Sequence, residues 1–193
     1  YRDYIAWLTR QDEPKAEAFW RMALEGFSNA TALAGTLPYG RRSSVEDEYG
    51  QRQVRLMPDA VARARAVEAE TGFALATLLH GAWALLLSRY SGEEQVTFGI
   101  TVSSRSIDAR MANSLGPLTN TLPALVKVCR EKVTRLWLEE LRTRQAGLYQ
   151  YGYCSSAQIR KWIDQPEDGP LFESRLILDG DPVDPFLRPT LKT

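Results

Sequence analysis

The stretch TLLHGAWALLLSRYSGEEQVTFGITVSSR, from Thr77 to Arg105, constrains the fold more than any other part of the chain. It reads as an apolar helix, a Ser-Gly-Glu-Glu turn and a strand. From Leu75 to Leu87 the apolar residues occupy nearly every side of a helix, which predicts a helix enclosed between layers rather than one with a wet face. The run from Gln95 to Val102 mixes β-branched and aromatic residues and ends at Ser103, Ser104 and Arg105. A buried strand that gives way to small hydroxyls and a guanidinium suits the wall of a polar channel. The ordinary reading is a core strand leaving its sheet for solvent.

Around this unit the remaining signals alternate between helix and strand. Glu13 to Glu25 carries Ala16, Phe19, Trp20, Ala23 and Leu24 at helical spacing, with Gly26 placed to end it. Residues 28–48 lose all periodicity and read as a long surface connection. Gln51 to Met57 alternates as a half-buried strand would, and Pro58 can open a helix whose apolar face is Val61, Ala64, Ala66 and Val67. Thr121 to Val128 is a second apolar strand, and Pro123 within it predicts a bulge or an edge position because proline cannot donate to a ladder. Val133 to Leu148, with Leu136, Trp137, Leu141 and Leu148, predicts an amphipathic helix. Ser155 to Ile163 reads as a short helix, Phe172 to Leu178 as a third strand, and residues 180–193 as an irregular tail. Mixed elements of this kind predict an α/β or α+β sandwich, a mixed sheet covered by helices.

Composition narrows the function. Lys plus Arg and Asp plus Glu are equal at 24 each, and no basic stripe with interleaved aromatics argues for nucleic acid. No run of the chain has the length and apolarity of a membrane span, and Phe73 to Leu87 is interrupted by His80 and Gly81. Cys129 and Cys154 lack metal-site or redox spacing, so neither a metal nor a disulfide is expected, and free thiols fit a cytoplasmic protein.

Several segments, taken in order, resemble one family. YRDYIAWL at Tyr1 to Leu8 is similar to a Tyr-x-Asp-Tyr-x-x-Trp motif, AFWRMALEGF at Ala18 to Phe27 to the segment that follows it, and the Thr77 to Arg105 stretch to a helix, Tyr-Ser-Gly turn and strand ending in a Ser-Gly-Arg-type loop. LGPLTNTLP at Leu115 to Pro123 resembles a Gly-x-Phe-x-Asn-Thr-x-Pro motif, and PLFES at Pro170 to Ser174 completes the series. These are motifs of the condensation domains of nonribosomal peptide synthetases. The resemblance implies a chloramphenicol-acetyltransferase-like fold, the one shared by CoA-dependent acyltransferases. It implies that 1–193 corresponds to the central and carboxy-terminal part of such a domain, without the amino-terminal HHxxxDG subdomain and without its last strands.

The implied activity is amide-bond formation between a carrier-tethered acyl or aminoacyl thioester and an aminoacyl acceptor, in secondary metabolite biosynthesis. Epimerisation or ester formation on the same fold, or a non-catalytic carrier-docking half, are the alternatives. No cofactor binds this chain directly in that reading; phosphopantetheine sits on partner carrier domains. The other partners implied are the missing amino-terminal subdomain and neighbouring synthetase domains. Family position makes Ser103, Ser104, Arg105, Gly116, Asn120 and Thr121 the substrate-tunnel candidates. Tyr1, Asp3, Tyr4, Trp7, Phe172 and Glu173 are motif residues with structural roles. Ser104 replaces a glycine, and Leu118 and Thr119 depart from an aromatic and aliphatic pair. Asn120 reads either as a tunnel residue or as a turn residue bonding its own backbone. Tyr149, Tyr151 and Tyr153 form an aromatic stripe suited to packing. His80, the one histidine, matches no catalytic motif and is expected to be a core or interface residue, so no catalytic residue is assigned and the chain alone is expected to be inactive.

Overall fold

The computed structural model describes residues 2–33, 53–103, 116, 118–129, 131–166 and 169–178. The elements follow as α1 (Arg2–Leu8), α2 (Glu13–Ala23), α3 (Pro58–Thr71), α4 (Leu75–Ser91), β1 (Gln95–Ser103), β2 (Thr119–Lys127), α5 (Thr134–Gln150), α6 (Ser156–Trp162) and β3 (Arg175–Leu176). Local chemistry sets several of their ends. The Asp12 carboxylate accepts from the Lys15 N–H at 3.1 Å and caps α2. Pro58 opens α3, and a capping box between Ser155 and Gln158 starts α6.

The strands form one mixed sheet in the order β2-β1-β3. β1 and β2 run antiparallel from Gln95 opposite Lys127 to Ser103 opposite Thr119, and β3 lies parallel to β1 with Gly99 opposite Arg175. The Gly99 N–H donates to the Ser174 carbonyl at 2.7 Å, so its polar groups face β3. Its partner Pro123 therefore turns its own backbone groups outward, away from β1, where a missing N–H leaves the ladder intact. Among the described residues β2 is an edge strand, as Pro123 predicts. Alternation then sorts the side chains. Val96, Phe98, Ile100 and Val102, with Leu122, Ala124 and Val126, form the apolar face, all buried. α4 and α5 pack on it: the His80 ring lies 6.0 Å from that of Phe98, and Gly152, just past α5, meets Val102.

Five expectations need correction. Residues 53–57 form no strand and are all exposed, Val54 at 81%, and no strand among the described residues pairs with them. α3 buries none of its residues, and Val61 and Val67 remain exposed. α4 is covered on one face only: Thr77, His80, Gly81, Ala84, Leu87 and Ser88 are buried, whereas Leu79, Leu85, Leu86 and Tyr90 face out. Likewise Leu136 of α5 is exposed, and the third strand has two residues rather than seven.

Before β3 begins, a side chain takes its place beside β1. The Thr97 N–H donates to Thr31 Oγ1 at 2.9 Å, and the Thr31 N–H donates back to Thr97 Oγ1 at 3.0 Å. Thr31 is thus buried, so the connection predicted over 28–48 is not wholly a surface one; beyond Leu33 most of it, like the tail at 180–193, lies outside the described residues.

Candidate functional site

The ends of β1 and β2 bring some of the expected tunnel residues together and separate others. Thr101 and Thr121 are paired across the two strands with their hydroxyl oxygens 3.4 Å apart, and Ser103 pairs with Thr119. Thr97, Gly99, Thr101, Ser103, Thr119 and Thr121 all fall on the face opposite the apolar one. Thr101, Ser103 and Thr121 are half-buried there. A Cβ on Gly99 would come within 2.7 Å of the Phe172 ring and 2.9 Å of the Thr121 methyl, so the bare Cα is what lets Phe172 of the PLFES segment lie beside Thr121. Glu173 is exposed, while the Ser174 carbonyl holds the segment to β1. The result is a half-buried strip of hydroxyls beside one aromatic ring.

Asn120 lies on the other face, opposite Val102. Its Nδ2 donates to the carbonyls of Gly152 at 3.0 Å and Cys154 at 2.7 Å, in the turn between α5 and α6. These partners lie on neither its own backbone nor the hydroxyl strip. Gly116 is exposed with φ of 137°. Tyr1, Ser104 and Arg105 lie outside the described residues.

The first motif docks near the same turn. Tyr4 is buried with Leu118, Trp7 stacks on Tyr4 at 5.9 Å, and Trp7 meets Tyr153 in a T-shaped contact at 5.4 Å. Tyr151 in turn stacks on Phe19 of α2 at 4.7 Å. The tyrosines of the predicted stripe therefore do pack. Asp3 is exposed. Burial pushes the Tyr153 hydroxyl well above its ordinary pKa, with Cys154 and Tyr151 adding to the effect. Burial also raises the Cys154 thiol to about 11, which makes it inert at neutral pH.

His80 is a core residue. The Thr77 hydroxyl donates to Gln145 Oε1 at 2.9 Å, and Gln145 Nε2 donates to His80 Nδ1 at 2.5 Å. With Nδ1 accepting, the ring proton sits on Nε2 and the imidazole is neutral. Burial lowers its pKa to about 4. Sequence reasoning missed this network, although one signal was present: Gln145 occupies the buried stripe of α5 between Leu141 and Leu148. At the far end of the strands a cavity of about 370 Å³ lies between Arg89, Cys129, Lys132 and Trp137, remote from the hydroxyl strip. Among the described residues no cluster of three or more His, Cys, Asp or Glu side chains could hold a metal, and no single helix is long and apolar enough to cross a membrane.

Comparison with known proteins points to the same family as the motifs. The model of the Condensation domain family matches residues 1–186. A linear gramicidin synthase protein of Brevibacillus parabrevis is 37% identical over 184 residues, covering 95% of this chain and 4% of that protein. Chondramide synthase cmdD of Chondromyces crocatus is 33% identical over 190 residues, covering 97% of this chain and 5% of that protein. Among solved structures, the first condensation domain of the CDA synthetase superposes with a TM-score of 0.67 at 17% identity, over 89% of this chain and 36% of that one. The X-domain from teicoplanin biosynthesis gives 0.69 at 19% identity, over 90% of this chain and 39% of that one. These likenesses bear out the expected fold. The chain thus spans a small fraction of the synthetases it matches and little more than a third of the solved single domains. With the motifs in order, the fold in common and the family match along almost its whole length, the chain belongs to the condensation domain family of nonribosomal peptide synthetases.

Proposed function

We propose that this chain is the central and carboxy-terminal part of a condensation domain, and that it supplies one wall of the channel in which an amide bond forms. The donor would be an acyl or aminoacyl thioester on one carrier domain, the acceptor an aminoacyl group on the next. Both would arrive on phosphopantetheine arms, and this chain would bind no cofactor itself. The observation that supports the wall is the half-buried strip of Thr101, Ser103 and Thr121 beside Phe172. Hydroxyls at that spacing can donate to and accept from the amide and carbonyl groups of an extended arm, while the ring covers its methylenes.

The chemistry of acyl transfer also needs a group that can take the proton of the attacking amine and donors for the developing oxyanion. This chain offers no imidazole for the task. His80 is buried in the helix layer and its Nδ1 already accepts from Gln145. The base would come from an HHxxxDG-bearing amino-terminal subdomain. The test is to incubate loaded donor and acceptor carriers with this chain, with and without such a subdomain, and to weigh the carrier-bound products. Condensed thioester is expected only with both parts present. Product from this chain alone, abolished by His80→Ala, would overturn the division of labour. Absence of product from an assembled pair that does bind both carriers would overturn the condensation reading.

A further inference from the structure

We propose that Asn120 is a positioning residue that acts through the α5–α6 turn on the placement of α1. The Asn120 amide gives both of its hydrogens to one turn, to Gly152 O at 3.0 Å and Cys154 O at 2.7 Å. Between those two carbonyls stands Tyr153, whose ring meets that of Trp7 in a T-shaped contact with centroids 5.4 Å apart. Gly152 is packed so tightly that a Cβ there would come within 2.9 Å of Val102 and 3.1 Å of the Leu148 carbonyl, so the turn has little room to move toward the sheet. α1 also rests on Leu118, two residues before Asn120, through buried Tyr4. The segment from Leu118 to Asn120 therefore grips α1 twice, directly through Leu118 and indirectly through the turn.

The requirement is for this residue type in particular. A carboxamide is short and carries two donor hydrogens on one nitrogen. Aspartate would set a carboxylate against two carbonyl oxygens, alanine would leave both carbonyls without this donor, and serine could serve only one of them. Asn120 and the hydroxyl strip lie on opposite faces of β2, so Asn120 acts on α1 while Thr121, its neighbour, belongs to the strip. One amide thus links the position of α1 to the strand end that carries the strip.

The structural half of this inference stands on the geometry alone; its effect on turnover rests on the condensation reading. Both halves are tested together. The chain contains five tryptophans, so 5-fluorotryptophan labelling gives a fluorine spectrum in which Trp7→Phe identifies the Trp7 resonance. Asn120→Ala and Asn120→Asp should shift or broaden that resonance and leave those of Trp83 and Trp137, on α4 and α5, in place. Asn120→Ser, which keeps one donor hydrogen, should shift it less and serves if the harsher variants fail to fold; Thr119→Ala should not move it. A Trp7 resonance unmoved in the folded Asn120 variants overturns the proposal. In the carrier assay with both parts present, Asn120→Ala and Trp7→Ala should each lower turnover about tenfold, and the double variant also about tenfold, because the two residues act as one unit. Losses that multiply, or variants with normal turnover, overturn the functional half. If the parent protein forms no product at all, the fluorine measurement still decides whether Asn120 positions α1.

Discussion

At the scale of single residues, His80 links stability to pH. Its folded pKa, about 4, lies below the ordinary value of 6.5, so the unfolded chain binds the proton first as pH falls. Stability contributed by the neutral ring is complete above about pH 6.5, declines as pH falls through the window, and levels off below about pH 4. The full amplitude is about 3 kcal/mol, from a shift of roughly two units or somewhat more. His80 is the one histidine of the chain, so between about pH 5 and 6.5 few other side chains change charge. Urea unfolding measured across that window should show the slope in the parent and not in His80→Gln; an equal slope in both would assign it elsewhere. The Thr77–Gln145–His80 chain also explains why a helix so rich in Ala and Leu contains polar groups at buried positions. Each is satisfied by the next, and α4 is held in register with α5.

At the scale of elements, α2 and α5 meet where a side chain has been omitted. A Cβ on Gly147 would lie 2.3 Å from Phe19 Cε2. Glycine to alanine within a helix ordinarily gains about 1 kcal/mol, yet here the expected result is a loss of about 1–3 kcal/mol, since the ring must move. Calorimetry of Gly147→Ala checks the sign, and Phe19→Leu in the same background should restore part of the loss. Elements with local signals were legible from the amino-acid order. Asp12, Pro58 and the Ser155 to Gln158 box mark helix starts in the structure, and Pro123 marked its edge position. What depends on distant partners was not legible. The alternation at 53–57 finds no strand to pair with among the described residues, and beside Thr97, before β3 begins, Thr31 takes the place of a strand partner. The site was half-readable. Family position grouped Asn120 with Thr121, although the period of two in a strand already places them on opposite faces.

At the scale of the whole molecule, burial is uneven. The sheet is well covered: Val96 to Ile100 and Leu122 to Val126 are all buried. Apolar side chains stay exposed on residues 53–57 and α3, and also on the outer side of α4, where Leu79, Leu86 and Tyr90 follow one another along the helix. Replacing Leu79 and Leu86 together by Lys should change stability by less than about 1 kcal/mol and reduce the binding of a hydrophobic dye. Leu87→Ala, one position away and fully buried, should cost about 2–5 kcal/mol. A large loss in the lysine variant would mean that the outer side of α4 is covered in solution. The Thr31–Thr97 pair carries a consequence of another kind, for the order in which the molecule opens. Phe98 and Ile100 direct their amides to β2 and are protected by a ladder, whereas the Thr97 amide is shielded by a hydroxyl 66 residues away in sequence. Solvent protons can therefore reach position 97 whenever the segment around Thr31 lifts, while the strands on either side remain paired, so this one amide acts as a clock for an excursion that leaves the rest of the sheet closed.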